Sequence, residues 1–201
     1  MQKENYNLQM EKIINGIKEK GERPTLLLHS CCAPCSSSVI ERLKDFFDLT
    51  VYYYNPNLDG IDEFDLRLKE QIRLCKILDV ECLTEEYNAQ EFLSLIKGLE
   101  REKEGGGRCE KCFDLRLKKT AEKAKASGYD YFATTLTVSP LKNADMINQL
   151  GELIATKVGV KYLPSDFKKK NGYKRSIELS NEYKLYRQNY CGCVFSKNQR
   201  V

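Results

Sequence analysis

The sequence has little histidine and no long apolar run. Its one histidine, His29, lies in a short apolar segment, so we predict a hydrogen-bonded core residue there and no set of imidazole ligands. No stretch approaches the roughly 18 apolar residues of a membrane span, and residues 1–20 lack the apolar run of a signal peptide. We therefore expect a cytoplasmic protein without a membrane partner, in a compartment where structural disulfides are rare.

Internal repeats and low-complexity segments are also absent. A chain of 201 residues is long enough to bury a core without disulfides, so the cysteines are not needed for stability. We predict one catalytic α/β domain over residues 25–201, preceded by a polar extension over residues 1–24. Within the domain, a basic segment begins at about residue 161, near Pro164.

The basic segment carries most of the positive charge. The net charge of the chain is +4, whereas residues 161–201 contain ten basic and three acidic residues, interleaved with tyrosines. Such a segment is able to contact phosphates and stack on bases, although basic runs are more often solvated surface. The candidate nucleic-acid contacts are Lys168, Lys169, Lys170, Lys174, Arg175, Arg187 and Arg200.

Apolar periodicity predicts alternating strands and helices. The predicted strands are 25–30, 49–54, 80–83 and 129–135, and the predicted helices are 39–47, 62–78, 89–97, 113–127 and 143–158. Residues 36–38 are serines that are able to cap the first helix. The alternation indicates a largely parallel sheet, in which ligands bind beyond the carboxyl ends of the strands. We therefore expect one crevice to be lined by Cys31, Thr134, Thr135 and Ser139.

Seven of the nine cysteines fall into three short clusters that are far apart in the sequence. The clusters are Cys31-Cys32-Ala33-Pro34-Cys35, Cys109-Glu110-Lys111-Cys112 and Cys191-Gly192-Cys193. Crowded thiolates repel one another and lose hydration, so a fold that gathers them needs a cation, a cluster or a disulfide. The pattern predicts one metal centre built from three loops.

The first two clusters supply the predicted ligands. Adjacent Cys31 and Cys32 do not readily form a disulfide with each other, but both are able to bind iron or zinc. Cys109 and Cys112 have the C-x-x-C spacing that lets two thiolates reach one metal, and the neighbouring glycines allow backbone N–H groups to approach. We predict that these four cysteines bind one cluster, with structural zinc nearly as well supported by the spacing alone.

The other cysteines indicate different roles. Cys191 and Cys193 are able to close a strained, easily reduced disulfide or to bind a second metal, and Cys35 is near enough to join either site. Three thiols beyond a set of four favour a redox-active site over a closed zinc site. Cys75 and Cys82 fit core positions, because free cysteine is among the most buried residue types.

Five blocks of sequence carry these cysteines and the residues around them. The blocks are HSCCAPCS at 29–36, GGRCEKCF at 106–113, TTLTVSP at 134–140, DFKK at 166–169 and YRQNYCGC at 186–193. Together they resemble the cobalamin-independent epoxyqueuosine reductase family, QueH. The resemblance extends over nearly all of the chain from Thr25, and five ordered blocks are far more specific than one C-x-x-C.

The resemblance implies an adenine-nucleotide α-hydrolase-like (HUP-type) α/β fold with a parallel sheet. It also implies a 4Fe-4S cluster, whose ligands would be Cys31, Cys32, Cys109 and Cys112. Cys191 and Cys193 would be a redox-active pair, or would bind an additional mononuclear iron with Cys35. Related folds bind ATP through an S-G-G-x-D-S loop after the first strand, but residues 30–35 read S-C-C-A-P-C. We therefore expect neither ATP nor cobalamin as a cofactor.

The implied reaction is the last step of queuosine synthesis in tRNA. The epoxide of tRNA-bound epoxyqueuosine loses its oxygen, and the products are the alkene and water. This reduction takes two electrons and two protons, so the oxidoreductase needs an electron donor, which the sequence does not identify, and a second redox element beside the cluster. An iron is also able to act as a Lewis acid on the epoxide oxygen. The basic segment is then expected to contact the tRNA.

Two other functions are considered beside the reductase. A tRNA sulfur transferase on the same type of fold would need adenylation and therefore the missing glycine loop. A zinc-stabilised RNA-binding module would have no use for the surplus thiols and would be colourless. ATP binding and metal identity distinguish these functions from the reductase.

Overall fold

The computed structural model describes residues 4–198. The helices are α1 (Tyr6–Lys20), α2 (Ala33–Leu43), α3 (Ile61–Leu78), α4 (Ala89–Leu95), α5 (Gly107–Ala126), α6 (Ala144–Val158), α7 (Gly172–Glu182) and α8 (Val194–Asn198). The strands are β1 (Thr25–Ser30), β2 (Asp48–Tyr53), β3 (Glu81–Thr84), β4 (Tyr131–Thr134) and β5 (Lys161–Tyr162). Residues 1–3 of the predicted extension and Arg200 of the basic segment lie outside the described residues.

The five strands form one parallel sheet in the order β3-β2-β1-β4-β5. The chain runs outward from β1 to β3 and then returns to the other side of β1 as β4. This reversal leaves a crevice beyond the carboxyl ends of β1 and β4, which is where ligands bind in open parallel sheets. The predicted parallel α/β fold is confirmed.

Successive residues of β1 pack on opposite faces of the sheet. Leu26 and Leu28 belong to the core that includes α1, α2 and α3, whereas Leu27 belongs to the core that includes α5 and α6. All three side chains are fully buried, because helices cover both faces of the parallel sheet. The two cores fix the positions of α2 and α5, which carry Cys35, Cys109 and Cys112.

Helix α1 forms within the predicted amino-terminal extension and packs on the first core. Met10, Ile14 and Ile17 recur at helical spacing and are buried with the β1 side chains. The Asn5 side chain accepts a hydrogen bond from the backbone N–H of Leu8 at 3.1 Å and so caps the helix. The described part of the extension therefore packs against the domain that follows it.

Two predicted helix starts are wrong. Helix α2 begins at Ala33, directly after the extended Cys32, and Pro34 fits its first turn because its fixed φ suits a helix start. The serines are therefore inside the helix, and Ser36 Oγ donates to the Cys32 carbonyl at 3.2 Å. Helix α5 begins at Gly107, so Cys109 and Cys112 lie on the helix itself.

Further elements were not predicted from periodicity because they are short or polar. They are α1, β5, α7, α8 and a 3-10 turn over Thr135–Val138. The 3-10 turn shortens the predicted strand to β4, and the side chain of Thr134 caps it by accepting from the N–H of Leu136 at 3.2 Å. Among residues 4–198, none of the helices combines the length and apolar character that a membrane crossing requires.

Candidate metal centre

Three thiols meet at the carboxyl end of β1. The sulfur atoms of Cys31, Cys32 and Cys35 all lie within 4.8 Å of one another, and those of Cys31 and Cys32 are 3.8 Å apart. Two of these residues lie between the strand end and the helix start, and Cys35 lies on the first turn of α2. A group of three thiols at this spacing is able to bind a metal ion.

One thiol of this group ionises far more readily than the other two. Hydrogen bonds from Cys32 and Cys35 lower the pKa of Cys31 well below its ordinary value. Hydrogen bonding to Cys31 raises the pKa of Cys32 to about 12 and raises the pKa of Cys35 well above normal. A metal that bound all three sulfurs would displace the two remaining protons, so binding would be coupled to proton release.

The other four clustered thiols surround a small cavity of about 20 Å³. Helix α5 supplies Cys109 and Cys112, and the irregular segment after α7 supplies Cys191 and Cys193. The backbone N–H of Gly105 donates to the Cys109 sulfur at 3.2 Å. Burial raises the pKa of Cys112 to about 12, and the other nearby thiols add to the increase. This second group is therefore crowded and desolvated.

Cys191 and Arg116 connect the two groups of thiols. Cys191 lines both the small cavity and a larger cavity in front of the first three thiols. Burial alone would lower the pKa of Arg116, but electrostatic interactions with cysteines from both groups raise it overall. The contributing cysteines are Cys112, Cys191, Cys31 and Cys109. The clustered cysteines thus share one electrostatic environment.

Two buried arginines of α5 have N–H groups without a partner among residues 4–198. Arg108 and Arg116 are each 1% exposed, and both line the small cavity. Arg108 Nη1 donates to the carbonyls of Glu100 and Glu102, but Arg108 Nε and Nη2 and Arg116 Nη2 have no such acceptor. Leaving buried guanidinium donors unpaired is costly, so an anionic group in the cavity would satisfy them. A thiolate-bound iron-sulfur cluster fits this requirement.

A close approach to α3 fixes the third cysteine cluster. Gly192 has a φ of 120°, a region that favours glycine, and a Cβ there would lie 2.5 Å from Leu58 Cδ2 and 2.8 Å from Arg67 Nη1. Arg67 also donates to the Cys191 carbonyl at 3.3 Å. Glycine between the two cysteines therefore lets the backbone at Cys191 and Gly192 lie against this buried arginine.

The larger cavity has a volume of about 510 Å³, which suits a ligand of nucleoside size. Its walls are the first cysteine cluster, residues 138–142, residues 187–191 and parts of α7. Lys142 lines this cavity. Burial alone would lower its pKa, but electrostatic interactions with Cys191, Cys31 and Cys35 raise it overall. A cavity of about 520 Å³ at the opposite, amino edge of the sheet contains no cysteine and is not the candidate site.

The predicted crevice is formed by most of the expected residues. The backbone N–H of Cys31 faces Thr135 Oγ1 at 3.4 Å, and Ser139 lines the larger cavity with Cys31. Thr134 instead contacts His29, with His29 Nδ1 2.9 Å from Thr134 Oγ1. Because His29 Nε2 is 3.1 Å from the Tyr54 carbonyl, which only accepts, Nε2 carries the proton. Burial lowers the pKa of His29 to about 3, so the predicted core histidine is confirmed.

The six candidate nucleic-acid contacts among the described residues have different surroundings. Lys168 pairs with Asp166 at 2.8 Å, Lys170 pairs with Glu11, and Arg175 pairs with Glu41 at 2.7 Å. Lys169 and Lys174 are exposed, and Arg187 lines the larger cavity. Carboxylate partners reduce the attraction of the first three for phosphate. Arg187 is therefore the best placed of the six to contact a substrate at the thiols.

The sequence analysis missed Arg116 and Lys142. A sequence signal for Arg116 was available. Residues four apart lie on the same face of a helix, and Arg116 follows Arg108 and Cys112 at this spacing, so it was expected on the face that carries the cysteine. Lys142 gave no comparable signal, because only the turn after β4 brings it to the thiols.

The order of the strands defines the class of protein by its fold, which is the adenine-nucleotide α-hydrolase-like (HUP-type) α/β fold that the family resemblance implied. The U34-tRNA thiolase NcsA from Methanococcus maripaludis, solved with its [4Fe-4S] cluster, superposes with a TM-score of 0.54 at 13% identity, over 94% of this chain and 70% of that one. A predicted tRNA methyltransferase subunit from Methanocaldococcus jannaschii superposes with a TM-score of 0.53 at 15% identity. The superposition covers 78% of this chain and 75% of that one. At these identities the likeness shows the fold alone.

Sequence comparison identifies the family. The family model of epoxyqueuosine reductase QueH matches residues 26–199. Epoxyqueuosine reductase QueH of Staphylococcus epidermidis is 45% identical over 97% of this chain and 85% of its own length. Epoxyqueuosine reductase QueH of Streptococcus pyogenes serotype M1 is 44% identical over 97% of this chain and 79% of its own length. The chain belongs to the epoxyqueuosine reductase QueH family and is an oxidoreductase.

Proposed function

We propose that this protein reduces the epoxide of tRNA-bound epoxyqueuosine to the alkene of queuosine, the last step of queuosine synthesis. The observation that carries the proposal is the meeting of the clustered thiols with a nucleoside-sized cavity. Two electrons and two protons enter the reaction, both C–O bonds of the epoxide break, and the oxygen leaves as water. A two-electron demand suits a centre that has more than one redox group.

We assign the cluster ligands as Cys31, Cys32, Cys109 and Cys112, and the cluster as 4Fe-4S. The unpaired donors of Arg108 and Arg116 support an anionic group beside the α5 cysteines. When bound, such a cluster supplies electrons singly. Cys191 and Cys193 then serve as the redox-active pair or, with Cys35, as ligands of an additional mononuclear iron. The position of Cys191 between the two cavities supports either role.

Lys142 is suited to stabilise the oxygen as the C–O bonds break. Its ammonium group lines the cavity on the side of Cys31, Cys35 and Cys191, and it keeps its charge there. A fixed positive charge in a partly dehydrated site stabilises negative charge that develops on oxygen. The proposed mechanism therefore places the epoxide between the thiols and this lysine.

Neither ATP nor cobalamin is part of the proposal. Helix α2 starts at the cysteine cluster, and Pro34 in its first turn has no N–H to donate to a phosphate. This arrangement argues against adenylation and therefore against a tRNA sulfur transferase.

We expect Arg187→Gln to weaken tRNA binding, because one cation near the cavity is lost. The slope of the logarithm of the binding constant against the logarithm of the salt concentration is expected to become shallower by about one unit. Filter binding or fluorescence anisotropy over a salt series measures both effects. Arg23→Gln is the matched control, since Arg23 lies at the amino edge of the sheet. If Arg187→Gln and Arg23→Gln lost equal affinity for tRNA, a tRNA contact at Arg187 would be contradicted.

The reductase function is tested with anaerobically purified protein. Iron, acid-labile sulfide and zinc are measured first, and dithionite is then added with tRNA that carries epoxyqueuosine, in place of the unidentified electron donor. The purified protein is expected to be brown and to contain iron. Nucleoside mass spectrometry is then expected to show that epoxyqueuosine is converted to queuosine. A colourless zinc protein that leaves the epoxide intact would overturn the proposal and favour the zinc-stabilised RNA-binding module. Stimulation by ATP with sulfur incorporation would favour the sulfur transferase.

A further inference from the structure

Part of the wall of the larger cavity carries no cysteine. Helix α7 and the segment after it form this part, which includes Tyr173, Ser176, Arg187 and Gln188. The epoxide of the proposed substrate is attached to a guanine-type base, so the base and the epoxide must enter one cavity together. With the epoxide at the thiols, a wall without thiols is available for the base.

Tyr173 supplies an aromatic ring at this wall. It is 37% exposed, and the guanidinium carbon of Arg187 lies 5.6 Å from the centroid of its ring. Helix α7 also holds the arginine directly, because Arg187 Nη1 donates to Ser180 Oγ at 3.4 Å. Tyrosine rings and guanidinium planes are the groups on which proteins stack unpaired bases. The pair is therefore suited to hold a base by stacking.

Gln188 supplies an unpaired acceptor at the same wall. Its Oε1 is buried and accepts no hydrogen bond from any of residues 4–198. A buried acceptor without a donor is costly, so a ligand that brings an N–H group would be favoured there. The Watson–Crick edge of a guanine-type base carries two such donors, the N1–H and the 2-amino group. The unmet acceptor of the protein and the donors of the base are complementary.

We propose that Tyr173 and Gln188 form the binding site for the guanine-type base of the tRNA substrate. Tyr173 stacks on the ring, and Gln188 Oε1 accepts a hydrogen bond from the Watson–Crick edge. Gln188 is then a specificity-determining residue, because a purine without these donors leaves its oxygen unpaired. The assignment rests on the proposed function, since that function supplies the base.

The base site is tested by the binding of RNA hairpins to the full-length, metal-loaded protein under anaerobic conditions. The hairpins carry guanosine, purine ribonucleoside or an abasic site at the position of epoxyqueuosine. The native protein is expected to prefer guanosine to purine by about fivefold, the factor for one hydrogen bond. It is expected to prefer purine to the abasic site by about tenfold, the factor for one stacked base. Equal affinities for the three hairpins, including no binding of any, would overturn the proposal.

Variants of Gln188 test the hydrogen bond. Gln188→Leu is expected to lose the preference for guanosine over purine, whereas Gln188→Glu is expected to keep it, because a carboxylate also accepts. The preference is a ratio within one variant, so partial misfolding or an added charge affects both hairpins alike. A preference for guanosine that persisted in Gln188→Leu would refute the role of this residue.

Variants of Tyr173 test the stacking. Tyr173→Leu is expected to lose the preference for purine over the abasic site, and Tyr173→Phe is expected to keep it, because the ring remains. Tyr186→Leu is the matched control, since Tyr186 is also 37% exposed but does not line the cavity. If Tyr173→Leu and Tyr186→Leu lost this preference equally, stacking on Tyr173 would be refuted.

These binding measurements require no turnover. A protein that showed both base preferences but left epoxyqueuosine intact would keep the base site and lose the proposed reductase function. A protein that reduced epoxyqueuosine without either preference would keep the reductase function and lose the base site. The two failures are therefore distinguishable.

Discussion

Cys109→Ser is expected to remove most of the iron and sulfide from the anaerobically purified protein, whereas Cys35→Ser is expected to keep the four-iron content. A 4Fe-4S cluster normally needs four thiolate ligands, and serine is a poor ligand for it. We place Cys109 on the cluster and Cys35 beside it, although the structure groups Cys35 with Cys31 and Cys32. Iron and sulfide analysis with the visible absorbance near 400 nm compares the two variants directly.

Cys82→Ser is the matched control for this comparison, because it also replaces a cysteine with serine but at a position that lines neither cavity. It is expected to retain the iron, sulfide and colour of the native protein under reducing conditions. If Cys35→Ser lost as much iron as Cys109→Ser, Cys35 would be a ligand of the cluster. Full retention by Cys109→Ser would remove Cys109 from the proposed ligand set.

Cys193→Ser is expected to keep the cluster absorbance but to reduce turnover by about a hundredfold or more, the loss typical of a directly participating group. Cys193 is buried and lines the small cavity with Cys112. Removing it leaves the proposed cluster ligands intact and deletes one half of the proposed redox-active pair. The measurement is queuosine formed per enzyme over time with excess dithionite.

A measurement of tRNA affinity on the same variant separates an effect on electron transfer from an effect on substrate binding. The affinity of Cys193→Ser for tRNA is expected to equal that of the native protein, because the variant changes no charge at the cavity mouth. Unchanged turnover in both Cys191→Ser and Cys193→Ser would refute the division of labour between the cluster and this pair. A parallel loss of iron would instead place Cys193 among the ligands of a metal.

The alternation of strands and helices was predictable because each element buries a periodic apolar face. The β1 run and the α3 and α6 patterns were read from the sequence with ends within one or two residues of the observed ones. Helix α5 was placed too late, because glycine has a low helix propensity and residues 105–107 suggested a loop. Arg108 donates to the carbonyls of Glu100 and Glu102, so hydrogen bonds to the preceding loop stabilise this helix start.

The surroundings of the thiols could not be read from local pattern. Basic residues near the carboxyl end looked alike in the sequence, yet Arg175 pairs with Glu41 on α2 whereas Arg187 faces the cavity. Glu41 and Arg175 are far apart in the sequence, and no periodicity links them. The contact between Cys75, Gln71 and the serines around the first cluster was hidden for the same reason.

The sequence by itself determined the chemistry available to this protein: three cysteine clusters, one core histidine, a parallel α/β scaffold and five ordered blocks that resemble one family. These features depend on residue type and local spacing, which the chain carries wherever it folds. The tertiary structure decided which thiols meet, because the return of the chain from β3 to β4 places distant segments at one switch point. It also placed Arg116 and Lys142 beside the clustered cysteines, since charge interactions depend on distance in space and on burial, not on separation along the chain.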